Sequence, residues 1–483
     1  MKRQRISAVD TAWLRMDRPS NLMMICGVLI FREKISLARL RSVIDERFLV
    51  FGRFRQRPVE TPAMSFWEAD PRFDLEHHVA HTALPGRAGR RELQALVSRL
   101  MSAPLDPARP KWQFHLVDNY ENGSAVIVRI HHCYADGIAL VRVLLSMTDA
   151  AADGPPAMPF EARARRRAAA DDTLGQLMAP FSGALAAARR IGGMLVATGT
   201  EIWHDPAKAV ELAERGSALT AEVAKLALMP QDSPTRFKGR PGIAKRVAWA
   251  DPLPLSEVKT IGRALGSSVN DVLLSCVAGA LRNYLEAQGD TVDNVVLRAL
   301  VPVNLRPLER AWRLGNRFGL VFLDLPIGIE NPVERLYALR ANMALLKSSH
   351  QPILALGLLA AMGGGPKILQ ESLLSILARN ATAVMTNVPG PQQPLYLAGG
   401  RIDHLMFWVP QSGDIGIGVS IISYDGWVQF GVVTDRGLCP DPERVVERFP
   451  AQFEQLVLAT LLGPWPRDDE LDPAVAARVA GVG

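Results

Sequence analysis

The sequence is poor in cysteine and histidine for its length, and several motifs that identify common enzyme classes are missing from it. Among its 483 residues there are nine histidines and four cysteines. The cysteines, which form no Cys-x-x-Cys pair, are Cys26, Cys133, Cys276 and Cys439. This spacing argues against a structural zinc site and favours a reducing compartment. Gly-x-Ser-x-Gly, P-loop, Gly-x-Gly-x-x-Gly and His-Glu-x-x-His patterns are absent, so the common hydrolase, nucleotide-binding and zinc-protease motifs are not present.

Long apolar runs are missing as well. The longest, residues 22–31 and 353–362, are too short to span a bilayer, and charged residues interrupt any signal peptide. No basic stripe interleaved with aromatics appears, which argues against nucleic acid as a partner. The net charge of +6 suits an anionic ligand or an acidic membrane surface. We therefore expect a cytoplasmic protein, with peripheral contact with the inner membrane as an open alternative.

The most informative stretch is a pair of adjacent histidines between a predicted strand and a predicted helix. The β-branched run at 126–130 is typical of a buried strand, and the Leu/Val-rich run at 138–147 of a helix. His131 and His132 should point to opposite faces because side chains alternate along a strand. Asp136 falls at the position of a helix N-cap, and Gly137 would permit the tight turn before the helix.

Each of these residues also has an ordinary structural interpretation. A histidine at a strand end is more often a hydrogen-bonded structural residue than a catalyst, and Asp136 could serve only as a helix cap. A shared metal is disfavoured, because the histidines face opposite ways and no third ligand lies at a familiar spacing. Cys133 is a poor candidate nucleophile, since a thiolate needs a positioned base. The whole pattern, His-His-x-x-x-Asp-Gly, is more specific than any of its members.

This pattern resembles the signature of the CoA-dependent acyltransferase superfamily, which includes chloramphenicol acetyltransferase and peptide-synthetase condensation domains. Further segments make the sequence similar to the bacterial wax ester synthase/diacylglycerol acyltransferase family, over about residues 5 to 460. In chain order they are Ser7-Ala-Val-Asp10-Thr-Ala-Trp13-Leu14, Pro110-Lys111-Trp112 (where the family has Pro-Leu-Trp), Asn270-Asp271, Pro302-Val-Asn304-Leu-Arg306, Gly315-Asn316 and Asn387-Val-Pro389-Gly390-Pro391.

The resemblance implies that His132 is a general base that deprotonates an acceptor alcohol. A neutral histidine with a pKa near 7 can do this without a covalent nucleophile. We therefore predict that the protein needs neither a metal nor any other cofactor, acyl-CoA being a substrate. The resemblance also implies that His131 and Asp136 are structural supports.

The partner of Asp136 and the role of the Asn270-Asp271 pair each have two interpretations. Asp136 is expected to pair with an arginine, either Arg15 or Arg306. Asp271 fits the capping box of a helix that begins after Ser268, whereas the family resemblance suggests that Asn270 faces the reaction centre as an oxyanion donor.

The predicted fold class is α/β (α+β), with two chloramphenicol acetyltransferase-like domains whose mixed sheets are flanked by helices. The predicted boundaries are 1–150 for the domain that carries the motif, 151–235 for a helical crossover, and 236–483 for the second domain. The family implies a tunnel between the domains with His132 midway. The arginine-rich crossover could also form a membrane-facing surface. A basic cluster could meet the CoA phosphates or be only a solvated linker; it consists of Arg236, Lys238, Arg240, Lys245 and Arg246.

The function implied by the resemblance is transfer of a long-chain acyl group from acyl-CoA to a lipid alcohol. The expected acceptors are diacylglycerol, giving triacylglycerol, and long-chain alcohols, giving wax esters. A peripheral membrane or lipid-droplet surface is a further expected partner. Two alternatives are a condensation-type enzyme that acts on a carrier-bound or polyketide alcohol, and a non-catalytic lipid-binding relative.

Overall fold

The computed structural model describes residues 3–61, 64–152, 229–304, 314–316, 318–347, 351, 355, 380–411 and 413–462. Most of the predicted crossover at 151–235 lies outside the described residues, as do its arginines and Arg306. Within the described ranges the chain forms two large mixed sheets and one small sheet.

The first large sheet contains the strand that leads into the histidine pair. In spatial order it consists of β13 (Tyr396–Leu397), β14 (Gly400–Trp408), β2 (Met24–Phe31), β7 (Gly123–His131), β6 (Trp112–Tyr120) and β5 (Val79–Thr82). Neighbouring strands are antiparallel except β5 and β6, which run parallel. β2 and β7 are buried along their whole length, as the apolar runs predict for central strands.

The second large sheet is built from the C-terminal half of the chain. Its spatial order is β11 (Phe318–Leu325), β10 (Leu297–Asn304), β12 (Ala383–Pro389), β15 (Ile417–Tyr424), β16 (Trp427–Asp435) and β8 (Lys245–Trp249), with the short β9 (Leu253–Pro254) also paired with β16. β12 runs parallel to both of its neighbours, and the other pairs are antiparallel. The predicted hairpin at Asp425-Gly426 joins β15 to β16, and both turn residues have positive φ.

The small sheet and the helices cover these two layers. The small sheet has the order β1 (Gln4–Arg5), β4 (Ser65–Ala69) and β3 (Gln56–Glu60). The helices are α1 (Ala8–Arg15), α2 (Leu37–Val43), α3 (Arg90–Ser102), α4 (Gly137–Ser146), α5 (Leu255–Ala264), α6 (Val269–Ala287), α7 (Pro332–Lys347), α8 (Glu443–Val446) and α9 (Arg448–Leu462). Ser268 and Asp271 form the predicted capping box of α6.

The N-terminal and C-terminal halves of the chain both contribute strands to the first sheet and residues to one apolar cluster. β13 and β14 come from the C-terminal half but belong to the first sheet, in which β14 pairs with β2 and β13 pairs with β14. The largest apolar cluster combines Trp13 and Leu29 with Leu300, Phe318 and Tyr424. The predicted mixed α/β fold is confirmed. The division at 150 and 235 stays a prediction, and the sheets themselves cross it.

The β8 edge of the second sheet is covered by helix α3 from the first half. The hydroxyls of Ser98 and Ser102 on α3 accept hydrogen bonds from the backbone N–H groups of Val247 and Lys245 on β8, at 2.9 and 2.8 Å. These two donors have no strand to pair with on that side, so the serines occupy the place of a neighbouring strand. This contact fixes the first half against the edge of the second sheet.

No single helix in the described part of the chain is long and apolar enough to cross a membrane. α5 and α6 pass the length and composition test only as a pair bent by 98°. Most residues of α6 are buried in the apolar cluster of the C-terminal half.

Candidate active site

The turn between β7 and α4 is entirely buried, although it lies among the polar side chains of His131, His132 and Asp136. His131 ends the strand, Asp136 precedes the helix, and both, like His132, are at most 3% exposed. Burying polar groups is costly unless they are hydrogen-bonded. The partner of each group therefore indicates whether the group is structural or is left for a ligand.

The ring of His131 contacts two groups from the first half of the chain. Its Nδ1 accepts a hydrogen bond from the backbone N–H of Cys133 at 3.1 Å, and its Nε2 lies 3.6 Å from a carboxylate oxygen of Asp17. Burial is the largest influence and lowers the pKa of His131, while Asp17 acts in the opposite direction. These contacts fit the predicted supporting role.

His132 lies between two aromatic rings from different parts of the chain. Its imidazole stacks on Trp13 of α1, with ring centroids 4.1 Å apart and planes inclined by 22°, and it meets Phe318 of β11 at 5.6 Å. Its Nδ1 is buried and has no hydrogen-bond partner among the described residues. The ring is therefore placed by packing and by its main chain.

Burial, with a smaller contribution from His131, lowers the pKa of His132 to about 3. The expectation of a pKa near 7 is therefore wrong for the unliganded protein. Taking charge into an apolar site is unfavourable. The side chain of Asn316 acts in the opposite direction, and no carboxylate among the described residues contributes. The imidazole is neutral throughout the physiological range and can accept a proton.

The thiol of Cys133 is buried beside the two histidines. Burial, and then the negative charge of Asp10, raise the pKa of this thiol well above its ordinary value. A thiolate is the reactive form of cysteine, so these surroundings oppose a nucleophilic role.

Asp136 is the N-cap that the sequence predicts. Its Oδ1 accepts a hydrogen bond from the backbone N–H of Ala139 at 2.8 Å, at the start of α4. Of the two arginines proposed as its partner, Arg15 lies 3.8 Å from Glu60, and Arg306 is outside the described residues. The arginine pairing of Asp136 therefore stays a prediction.

The conformational reason given for Gly137 is wrong. Gly137 is the first residue of α4 and does not have a positive φ. A Cβ built there would meet Val409 at 3.5 Å and Ile25 at 3.9 Å, which are ordinary contact distances. A Cβ would therefore fit at residue 137, and neither the backbone angle nor the space around it requires glycine.

A short segment from the second half runs beside the motif turn. Gly315, at φ +107°, donates its N–H to the carbonyl of Tyr134 at 3.0 Å and forms a parallel bridge with Ala135. The next residue, Asn316, donates from Nδ2 to the carbonyl of His132 and to Asp10 Oδ1, both at 2.8 Å. Residues more than 180 positions apart therefore meet at the candidate base.

Sequence reasoning did not assign site roles to Asp10, Trp13, Asn316 or Phe318. Three of them lie in the segments that carry the family resemblance, which was the available signal. Nothing in the order of those segments indicated that they converge on His132. Phe318 belongs to no such segment and had no signal.

Asn270 is the second residue of α6 and is half-buried. It contacts another of the segments that carry the family resemblance. Its Oδ1 accepts a hydrogen bond from Nδ2 of Asn387 on β12, at 2.8 Å. This bond fixes the Asn270 amide so that its NH₂ group points away from Asn387. Its role as an oxyanion donor stays a prediction.

The basic cluster near the start of the second half is mostly paired with protein carboxylates. Lys245 is buried and lies 3.1 Å from Asp435. The other pairs are Arg236 with Asp290, Lys238 with Asp232 and Arg246 with Glu443. Lys245 is withdrawn from solvent, and both interpretations of the cluster, a solvated linker and a site for CoA phosphates, stay predictions for the other residues.

Neither of two cavities that lie among the described residues is lined by His132. One has a volume of 20 Å³, enough for one water molecule, and lies near the motif, between Met24, Lys245, Val409 and Gln411 among other residues. The other is an open groove of 810 Å³ beside Glu330 and Leu458. The predicted tunnel stays a prediction. The described residues also contain no group of three His, Cys, Asp or Glu side chains that could hold a metal.

Comparison with known sequences decides the family. Residues 6–273 match the wax ester synthase/diacylglycerol acyltransferase catalytic domain, and residues 314–457 match the C-terminal domain of the same family. The chain belongs to this family. The expected class of enzyme, an acyltransferase that acts on lipids, is confirmed with it.

Individual relatives agree with the wax ester synthase/diacylglycerol acyltransferase assignment. Two putative diacylglycerol O-acyltransferases of Mycobacterium tuberculosis are 29% and 25% identical to the chain, over 96% and 94% of it and 92% and 90% of their own lengths.

Solved structures show the same fold. The wax ester synthase/diacylglycerol acyltransferase of Marinobacter aquaeolei VT8 superposes with a TM-score of 0.68 at 21% identity, over 95% of this chain and all of that one. The first condensation domain of the CDA synthetase gives a TM-score of 0.55 at 14% identity, over 94% and 96% of the two chains.

Proposed function

We propose that this family member transfers a long-chain acyl group from acyl-CoA to diacylglycerol, and also to long-chain alcohols, with His132 as the general base. The observation that carries the proposal is a neutral, buried imidazole at the junction of the two halves, in the signature turn of an acyltransferase family. The substrate assignment is supported by the names of the relatives, which are diacylglycerol O-acyltransferases and a wax ester synthase.

In the proposed reaction, Nε2 of His132 accepts the proton of the acceptor hydroxyl while the hydroxyl oxygen attacks the thioester carbonyl carbon. The C–O bond forms, and the carbonyl electrons move onto the oxygen as an oxyanion. When the carbonyl re-forms, the C–S bond breaks, and the CoA thiolate takes the proton back from His132. One base thus serves both half-steps, and no covalent enzyme intermediate is needed.

The surroundings of His132 determine how the proton must move. Because burial lowers the pKa of His132 to about 3, the imidazolium form is costly at this position. The protonated ring should therefore be short-lived, and proton return should accompany C–S cleavage. Asn270 is the proposed donor to the oxyanion, with its amide oriented by Asn387. Loss of one such donor costs about 3–4 kcal/mol of transition-state stabilisation.

The test is free thiol release from palmitoyl-CoA by the purified chain, with dioleoylglycerol and hexadecanol offered separately. We expect release to depend on an added alcohol and to give the matching ester. His132→Ala should lower kcat/KM by about 10²–10⁴-fold without loss of fold, because general-base catalysis contributes that much. Wild-type turnover by a folded His132→Ala protein would refute the mechanism.

We also propose peripheral association with a lipid surface through the exposed end of α9. Leu458, Leu461 and Leu462 are 55%, 64% and 84% exposed. Flotation with phosphatidylcholine/phosphatidylglycerol vesicles should recover the wild-type chain. A variant with all three leucines changed to serine should float less, and equal flotation would contradict this surface.

A further inference from the structure

The main chain of His132 is held from both halves of the molecule. Its N–H donates to the carbonyl of Met23, beside β2, at 2.7 Å. Its carbonyl accepts from Nδ2 of Asn316, in the second half, at 2.8 Å. No carboxylate holds the ring itself, and its Nδ1 has no partner in the described part of the chain. The direction of the imidazole therefore depends on the peptide to which it is attached and on its aromatic neighbours.

Asn316 is in turn fixed by a buried carboxylate. Oδ1 of Asp10 accepts both from the backbone N–H of Asn316 at 3.0 Å and from its Nδ2 at 2.8 Å. Asp10 is 8% exposed and Asn316 is 5% exposed. Hydrogen bonds to an ionised acceptor are stronger than neutral ones. Both Nδ2 hydrogens are thus committed, one to Asp10 and one to His132.

These two acceptors also determine the orientation of the amide. Only the NH₂ group of Asn316 can donate to two oxygens, so its Oδ1 must face the other way. That Oδ1 is buried and has no hydrogen-bond partner among the described residues. Leaving such an acceptor unpaired costs about 1–3 kcal/mol. Two acceptors, Asp10 Oδ1 and the His132 carbonyl, thus fix the direction in which Asn316 presents Nδ2.

We propose that Asn316, anchored by Asp10, is a positioning residue that holds the His132 peptide so that the imidazole is aimed at the acceptor hydroxyl. The proposal deepens the proposed function and rests on His132 being the base. The base then becomes competent only when segment 314–316 of the second half docks onto the motif turn of the first.

The first test is Asn316→Ala in the full chain, with acyl-CoA and dioleoylglycerol. We expect kcat to fall about 10–100-fold with the KM for acyl-CoA within about twofold, since misplacing a catalytic group by about 1 Å can cost about 10²-fold. The matched control is Asn342→Ala on α7, which removes a similar amide-to-carbonyl hydrogen bond of 2.9 Å to Asp324 on β11. This control should keep the wild-type kcat. An unchanged kcat in folded Asn316→Ala would overturn the proposal.

A second variant separates positioning from simple cross-linking. In the exchanged pair Asp10→Asn with Asn316→Asp, the direction of the bond is reversed, so that residue 10 donates to residue 316. Residue 316 can no longer donate to the His132 carbonyl. We expect the thermal unfolding midpoint to recover relative to Asn316→Asp alone while kcat stays low. Recovery of kcat together with the midpoint would show that only the cross-link matters, and would overturn the proposal.

The two levels of the proposal fail in different ways. Wild-type turnover in His132→Ala would remove the base, and the proposed function with it. An inactive His132→Ala together with a fully active Asn316→Ala would remove only the positioning role.

Discussion

Two buried histidines in this chain look alike in isolation and differ in their surroundings. His115, in the middle of β6, and His132, at the end of β7, each have a buried ring nitrogen without a partner among the described residues. Burial lowers the pKa of His115 to about 4, with Arg129 as a second cause, and that of His132 to about 3. By exposure, pKa and unsatisfied polar atoms, both would qualify as candidate bases.

The neighbours of the two rings separate them. His115 shares a sheet face with Arg129, whose guanidinium donates to Gln113 at 2.9 Å and to the carbonyl of Ala103 at the end of α3. His132 instead lies where α1, β11 and segment 314–316 converge, with Asn316 on its carbonyl. A depressed pKa alone therefore does not identify the base. Convergence of both halves on the ring is the feature that favours His132 as the proposed base.

The largest expected difference is in turnover. His132→Gln should lower kcat/KM by about 10²–10⁴-fold, because the amide cannot accept and return a proton as imidazole does. His115→Gln should keep the wild-type kcat, because its surroundings offer no route to the reaction centre. Steady-state thiol release measures both. A comparable loss of kcat in His115→Gln would show that convergence of the two halves on the ring does not distinguish the base.

The next difference is in acid stability. The unfolded chain binds a proton at residue 115 below about pH 6.5, whereas the folded chain does so only near pH 4. The share of the unfolding free energy that depends on His115 is therefore constant at neutral pH and is lost as the pH falls from about 6.5 to 4. The loss should be about 2–3 kcal/mol between pH 7 and pH 4.5.

Urea unfolding of His115→Gln and wild type at those two pH values measures this share. The variant should lose less stability on acidification than wild type. His81→Gln is the control, since His81 is half-exposed beside Asp118. Parallel losses in wild type and His115→Gln would contradict the burial argument.

Local chemistry explains which features could be predicted from the sequence. The strand into the motif, the Asp136 cap, the Ser268/Asp271 capping box and the Asp425-Gly426 hairpin depend on neighbouring residues, and all four are present. Binary patterning and turn chemistry act over a few residues, so a single sequence carries them.

Long-range pairing explains the rest. Asn316 and Asp10 are 306 positions apart, and β14 reaches across to β2 without any local signal in its sequence. Lys245 and Arg246 of the basic cluster have carboxylate partners 190 and 197 positions away, which the sequence of the cluster does not indicate. Gly137 follows the same pattern: it starts α4 with an ordinary backbone angle, and the space around it would accept a Cβ, which a turn rule does not reveal.

The smallest effect concerns the turn that His132 has and His115 lacks. Asp136→Ala removes the oxygen that accepts from the N–H of Ala139, and losing an N-cap of this kind costs about 0.5–2 kcal/mol. The thermal unfolding midpoint should therefore fall. Asp136→Asn separates two causes, because asparagine caps as well as aspartate but carries no charge. A midpoint like that of wild type in Asp136→Asn would assign the stabilisation to the cap. A midpoint as low as that of Asp136→Ala would instead assign it to the carboxylate charge, and hence to the predicted arginine partner. An unchanged midpoint in Asp136→Ala would show that Asp136 does not stabilise the turn that carries His132.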